Sequence, residues 1–526
     1  MPKLKFIVMV GLCLSVATVH AYAQDEGEAC EETGESLSPT RYLRALSLDL
    51  RGNIPTMEEH DQVLQAGEVP EQLIRDMINS DEFESEFYRF HRSLLWPNLA
   101  GFSKFHATAD KIASIVNGSN IYDFGDATQL QRGFRGANVT CRDEPEADPQ
   151  NIQPQAQPDG TRREGYVCVR PYSPQGRYVD DGSCPEGEIK VCAYAAQEHL
   201  VSPATGQRCD RPTNGFDPGC GCGPNLRWCS GYYQFVYPLI VTMKDQIRWV
   251  LENDRPYHEM LAEAPPMING PAAHYFKYTA PAKGYELTIP PEMVPDLPYD
   301  DWDSIPLEGA GRHARGVLTH PLYLLRFMTQ RARVDRYYNS FLCQPFQPPS
   351  GGINTSAGPP HPDLQQRNGC KFCHGILEPV GAHWGRYAEY TLRYLNPGDY
   401  PDFAPECIVC VNEGRCSQRC LSAYNLSTSP SHLPFLGYLK PFLFREPAHI
   451  PNINEGLPLL VRRDVINGRI ARCAARNVAR WMGGRTPKPD EEPWLDELGA
   501  DFAAHNYDFK HLVYEFVTSD WYRRVR

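Results

Sequence analysis

Residues Asn368–Pro379 read NGCKFCHGILEP. Two cysteines stand three apart and a histidine follows the second. The reading of this stretch decides the fold around it. A thioredoxin-like dithiol belongs after a buried strand in a βαβ unit. A zinc half-site needs two further ligands from elsewhere in the chain. Covalent haem attachment needs a short helix, with both thiols added to the vinyl groups of one haem edge and the next imidazole under the iron. The bland alternative is a pair of ordinary disulfide cysteines in a cysteine-rich chain.

The flanks favour haem over these rivals. A Pro/Gly-rich connection, QPPSGGINTSAGPPHPDL (347–364), precedes the motif where a buried strand would stand in a dithiol protein. Around it the apolar residues recur at helical spacing. Cys370 and Cys373 are then the thioether residues and His374 the proximal iron ligand. Pro379 is expected to end the motif helix at Glu378, because proline disfavours helix at the residue before it. Trp384 and Arg386 are candidates to pack on a haem edge and meet a propionate, against ordinary packing and a solvated charge. A carbonyl in the same turn is expected to accept the second imidazole N–H. The sixth ligand is open: Met482, His383, His432, His449, an earlier residue or none.

The start of the chain bears on the compartment. Lys3 and Lys5 precede an apolar stretch, Phe6–Val19, and then Ala21-Tyr22-Ala23. That order predicts a secretory signal peptide cleaved after Ala23. It suits the motif, since haem of this type is attached outside the cytoplasm. The chain holds 18 cysteines, and an oxidising compartment makes disulfides the default for those outside the motif. Once Cys13 leaves with the signal peptide and the motif pair is set aside, an odd number remains, so one thiol stays free or bonds between chains.

The remaining segments fall into helical and cysteine-rich parts. PTRYLRALSLDLRG (39–52) places Tyr42, Leu43, Leu46 and Leu50 at helical spacing and stops at Gly52. Thr56 and Glu59 form a capping-box pattern. LIRDMINSDEF (73–83) is echoed by LVYEFVTSDWY (512–522), which predicts two similar helical hairpins near the two ends. Between 120 and 232, Cys141, Cys168, Cys184, Cys192, Cys209, Cys220, Cys222 and Cys229 lie among Pro, Gly, Asn and Asp. Loops and short strands stapled by disulfides are expected there. Cys407, Cys410, Cys416 and Cys420 miss the bacterial iron–sulfur spacing and read as two local disulfides. Cys343 and Cys473, on helical stretches flanking the motif, offer a further bridge.

These signals predict a mainly α fold: multi-helical domains around a small c-type haem segment, with two loop-rich insertions containing a little β. The boundaries are a signal peptide at 1–23, a flexible leader at 24–37 and an N-terminal helical domain at 38–115. A disulfide-rich insertion follows at 120–232, then a central helical domain at 233–360. The haem segment is 361–395, the second insertion 396–455 and the C-terminal helical domain 456–526. The 526-residue chain is 41% hydrophobic and carries a formal charge of −13. An acidic chain without a basic block gives no reason to expect nucleic-acid binding. No apolar run long enough for a transmembrane span follows the signal peptide.

Several stretches resemble large secreted proteins of planctomycetes and myxobacteria, a family of domains of unknown function with planctomycete cytochrome c-like segments. GCKFCHGILEPVGAHWGRYAE (369–389) resembles their haem-motif segment. LSLDLRGNIPTMEEH (46–60) with LIRDMINSDEFESEFYRFHRSLL (73–95) is similar to their N-terminal helical domain. GVLTHPLYLLRFMTQRARVDRYYNSFLCQPFQPP (316–349) is similar to the segment before the motif. CAARNVARWMGGRTP (473–487) and YDFKHLVYEFVTSDWYRR (507–524) are similar to their C-terminal domain. The resemblance implies a periplasmic or surface protein with one covalent haem c, and names no substrate. Electron transfer with a redox partner protein is the expected function. A haem-dependent oxidoreductase or peroxidase with an open distal site, or a surface binding or scaffold protein, are the alternatives.

Overall fold

The computed structural model describes residues 36–96, most of 233–525 with breaks near 280–286 and 348–360, and parts of the stretch from 113 to 226. The signal peptide and nearly all of the leader lie outside the described residues, as do Cys209, Cys220, Cys222 and Cys229. The fold is mainly α with a little β.

Four helices open the described chain: α1 (Pro39–Arg51), α2 (Met57–Ala66), α3 (Glu71–Ile78) and α4 (Asp81–Leu95). In α1 the residues at helical spacing, Tyr42, Leu43, Leu46 and Leu50, are buried. Gly52 closes it in the left-handed region at φ 70°, where a Cβ is disfavoured. The Thr56–Glu59 capping box forms, with Glu59 N donating to Thr56 Oγ1 (3.2 Å) and Thr56 N to Glu59 Oε2 (2.9 Å). An antiparallel sheet of β1 (Ala113–Val116), β2 (Ser119–Tyr122), β3 (Tyr166–Val169) and β4 (Ile189–Cys192), in the order β2-β1-β4-β3, begins before the cysteine-rich stretch, so the end of the segment 38–115 expected to be helical pairs as a strand with the insertion. Cys141–Cys192 and Cys168–Cys184 staple it.

The central part runs from α5 (Tyr233–Glu252) to α6 (Gln330–Phe341), and the motif helix is α7 (Lys371–Gly381). The second insertion carries α8 (Pro405–Glu413) and α9 (Gln418–Ala423), pinned by Cys407–Cys420 and Cys410–Cys416. The chain ends in α10 (Leu457–Ile466), α11 (Arg469–Gly483), α12 (Glu492–Ala504), α13 (Phe509–Thr518) and α14 (Asp520–Val525). Cys343, just past α6, is bonded to Cys473 on α11.

The helical segments do not keep separate interiors. One apolar core takes Leu46 and Phe87 from the first helices and Ile247 and Tyr337 from the centre. It takes Trp384 from beyond the motif, and Val478 and Phe516 from the last helices. The second insertion has its own small cluster, including Tyr400, Cys407, Cys420 and Leu439, against Ala382 and Ile453.

The echo between the chain ends extends over four helices. Ser80 Oγ donates to Met77 O (2.8 Å) and accepts from Phe83 N (3.2 Å). Ser519 Oγ donates to Phe516 O (2.6 Å) and accepts from Tyr522 N (3.3 Å). Upstream, Gly484 ends α11 at φ 69°, as Gly52 ends α1. Lys488 N donates to Glu491 Oε2 (2.6 Å), as Thr56 N does to Glu59. The units α1–α4 and α11–α14 therefore share their turn chemistry. They also pack on each other through α3 and α13, where the Arg75 guanidinium lies 4.1 Å from the Tyr514 ring centroid.

Two imidazoles are locked into this core. His91 Nδ1 meets Phe87 O at 2.8 Å and Nε2 meets Tyr257 Oη at 3.0 Å, while His320 Nδ1 accepts from Leu322 N at 3.1 Å. Burial pushes each down to about 3. The unfolded chain takes up these protons near pH 6.5, while the folded chain refuses them until far lower pH. Stability therefore falls as pH drops below about 6.5, by about 3 kcal/mol for the pair between pH 6.5 and 5. Urea melts across that range should show the fall, and His91→Gln should flatten its slope.

Candidate functional site

The motif sits where an irregular loop becomes a helix. Asp363, almost fully buried, organises the approach, its Oδ1 accepting from Gln365 N at 2.9 Å. Gly369 turns the chain at φ 78°. The Cys370 carbonyl then accepts from His374 N at 3.0 Å, starting the α-helical ladder. Positions 370, 373, 374, 377 and 378 fall on one face of this helix by their spacing.

Cys370 and Cys373 are free thiols, both partly exposed, and are the only ones among the described residues. Ten other described cysteines are paired. His374 is largely enclosed, with 19% of its side chain exposed, and its Nδ1 lies 2.8 Å from Glu378 Oε1. Nε2 has no hydrogen-bond partner among the described residues. With an ionised carboxylate opposite, Nδ1 is the donor of that hydrogen bond and Nε2 is the ring nitrogen left for a ligand.

Glu378 is the centre of the site. Arg331 Nε from α6 donates to Oε1 at 2.7 Å. Arg445 Nη2, from beyond the second insertion's helices, donates to Oε2 at 3.1 Å. Burial alone would raise the Glu378 pKa. The hydrogen bonds from His374 and Arg331 and the charges of Arg331 and Arg445 outweigh it and hold the carboxyl below the usual range. An ionised Glu378 is thus built in. Arg445 is itself enclosed, and burial lowers its pKa.

A cleft of about 850 Å³ opens at Leu377 and Glu378, one turn beyond the motif on the same helix face. Its walls include Arg331, Arg393, His432, Lys440 and Phe444. Its size lies within the range of small-molecule and cofactor pockets.

The structure corrects two expectations and decides between the alternatives left open for Trp384 and Arg386. The helix does not stop at Glu378 but runs through Pro379 to Gly381. The bond lost to proline is the one to Gly375, on a side where an added Cβ would meet nothing, and Pro379 O accepts from Asn452 Nδ2 at 3.0 Å. The imidazole partner is a carboxylate rather than a carbonyl. Trp384 and Arg386 are both consumed by the fold. Trp384 is fully buried, with Nε1 donating to Leu318 O at 3.1 Å. Arg386 donates to Tyr400 O at 2.7 Å and pairs with Asp402.

The four candidates for a sixth ligand are dispersed. Met482 is buried on α11 beside Phe83, Phe90 and Phe509. His383 is buried, its Nδ1 2.6 Å from Gly456 O, and burial lowers it to about 4. His449 lies in a turn at Pro447–His449. Only His432 of the four lines the cleft, with Nδ1 2.8 Å from Ser429 Oγ. None hydrogen-bonds or stacks with a motif residue among the described residues.

Glu378 was visible in sequence as a carboxylate four residues after His374, a spacing that lets the two meet on a helix. Arg331 and Arg445 carry no such local signal. No protein-family model, curated protein or solved structure matches the chain.

The residues present fit a covalently attached haem: two unpaired thiols at motif spacing, a clamped imidazole with a free Nε2, and an adjoining cleft. In protein exported without haem-attachment machinery, alkylation under non-reducing conditions should label Cys370 and Cys373. Cys343, Cys407, Cys410, Cys416, Cys420 and Cys473 should stay unlabelled. Peptide mass spectrometry reads both outcomes.

Proposed function

We propose that this chain is an extracytoplasmic c-type cytochrome-like protein that transfers electrons to or from a redox partner protein. The observation that supports it most is the pairing of free thiols at 370 and 373 with an imidazole whose Nδ1 is already held. The disulfides accord with export through the signal peptide predicted at 1–23. The sequence resemblance points the same way. Haem c, held by Cys370, Cys373 and His374, would supply one-electron redox chemistry.

The chain's own residues do the tuning. Glu378 fixes the ring plane and tautomer of His374 and increases the electron density at Nε2. Arg331 and Arg445 stop Glu378 from swinging away, and partly offset its charge. Greater donor strength at Nε2 would favour the oxidised state of a haem held there.

A second reading has one observation in its favour. Met482 and His383 are engaged in packing or hydrogen bonding away from the motif, so neither is poised as a sixth ligand. An iron with an exchangeable sixth position would suit a haem-dependent oxidoreductase.

Oxidised and reduced spectra of exported protein, with and without carbon monoxide, separate these readings. A low-spin spectrum indifferent to carbon monoxide supports the carrier, and a high-spin spectrum that responds supports the oxidoreductase. Intact mass without an added haem would overturn both. Glu378→Gln removes the negative charge that faces His374 and is shared with Arg331 and Arg445. Loss of that charge behind the imidazole should raise the midpoint potential, by an amount on the order of 60 mV if it disfavours the oxidised state about tenfold, measured by spectroelectrochemistry. Cys373→Ala should leave haem attached at one point only, which tryptic mapping resolves.

A further inference from the structure

A second cluster of ligand-type side chains lies far along the chain, at the corner between α12 and α13. Asp501 and His505 are one turn apart at the end of α12, and His511 stands in the first turn of α13. Asp501 Oδ2 is 2.7 Å from His511 Nε2, and Asp501 Oδ1 is 3.2 Å from His505 Nδ1. The two imidazole rings lie 3.9 Å apart, centroid to centroid. All three residues offer a donor atom within 4.8 Å of the others. We propose that Asp501, His505 and His511 bind one divalent transition-metal cation, zinc foremost, and so clamp α12 to α13.

The chemistry selects the metal class. Two imidazole nitrogens and one carboxylate oxygen form a three-ligand set typical of zinc, with water in the fourth position. Zinc–ligand bonds of about 2.1 Å in tetrahedral geometry separate neighbouring donors by about 3.4 Å. The 3.2 Å contact to His505 is close to that value, and the 2.7 Å contact to His511 has to open, so side-chain rotations make room for the ion. Magnesium and calcium prefer all-oxygen shells, and nitrogen donors exclude them as occupants. The carboxylate and the partial exposure of the cluster leave access for the ion and its water. Each side chain retains some exposure: 42% for Asp501, 53% for His505 and 23% for His511.

The corner that holds the cluster is rigid beneath its exposed rim. Asn506 and Tyr507 both adopt left-handed backbone, at φ 56° and 58°, which is unusual for two consecutive residues other than glycine. Tyr507 O accepts from Tyr257 N at 2.9 Å, and Tyr507 Oη donates to Val465 O at 3.0 Å. Asp508 caps α13, accepting from Lys510 N at 2.9 Å and His511 N at 3.3 Å. The three ligands are thus presented by a fixed turn, which lowers the ordering cost of binding. The corresponding corner of the N-terminal unit, Gly67–Pro70, has no imidazole. That corner turns between its helices without such a cluster.

The test is calorimetric titration of zinc chloride into the full exported chain and into its Cys370→Ser/Cys373→Ser variant. The second removes competing thiols and makes the result independent of the haem reading. The thiol-free variant is expected to take up one equivalent and the unmodified chain at least one, with no uptake of magnesium chloride by either. His505→Ala/His511→Ala should abolish this uptake, and Asp501→Asn should weaken it at least about tenfold, with circular dichroism unchanged. Cobalt chloride should give tetrahedral visible bands that disappear in the double histidine variant. Failure of the thiol-free variant to take up zinc, or uptake that survives loss of both histidines, would overturn the proposal.

Discussion

The carboxylate of Glu378 joins three parts of the chain at one point. It accepts from His374 on its own helix, from Arg331 on α6 and from Arg445 beyond the second insertion's helices. A largely enclosed carboxylate without partners would be costly, and each partner here removes part of that cost. The motif helix is therefore placed by a polar constraint as well as by apolar packing. Two residues along α6, the buried Arg333 donates to Tyr387 O (3.0 Å) and Ala388 O (3.3 Å). Those bonds fix the segment that follows α7. The same short helix thus has one neighbour holding its imidazole partner and another holding its exit.

Around this point the fold is built from repetition and closure. The first four helices and the last four carry the same serine and glycine devices, and α3 meets α13 where the two units touch. Tyr522 Oη donates to Asp49 Oδ2 at 2.6 Å, and Tyr42 Oη to Val517 O at 2.8 Å, so the two ends of the chain are stitched together. The Cys343–Cys473 bond spans 130 residues, which makes its restriction of the unfolded chain large. It encloses the motif in sequence. The second insertion forms its own small cluster beside α7 and supplies Arg445 from its far end. That gives an otherwise unexplained segment a part in holding the site.

The two histidine clusters differ in what surrounds them. His374 is clamped by a carboxylate that two arginines already share, which leaves one ring nitrogen for a ligand. Asp501, His505 and His511 face one another with no arginine bonded to the carboxylate among the described residues, and His505 Nδ1 also lies 3.0 Å from the Asp501 carbonyl. The buried His91 and His320 have both ring positions occupied or enclosed and serve the core.

Local order was legible in the residues themselves. Helical spacing named the buried face of α1, Thr56 and Glu59 announced a capping box, and the Ser-Asp echo marked equivalent hairpins. Cysteine spacing set 370 and 373 apart from the local pairs at 407–420. Each of these depends on residues within a few positions, whose geometry a helix turn or a short loop dictates. Pro379 shows the limit, because a local preference gave way to a helix already anchored on both sides. Trp384 and Arg386 show it again, since only their neighbours in space reveal that Trp384 is spent on the core and Arg386 on Tyr400 O and Asp402. The Glu378 node was decided by tertiary structure alone: Arg331 and Arg445 stand 47 and 67 residues away in sequence. No periodicity encodes such a meeting. The sequence by itself determined which atoms have ligand chemistry, and the folded path of the chain determined which charges hold them in place.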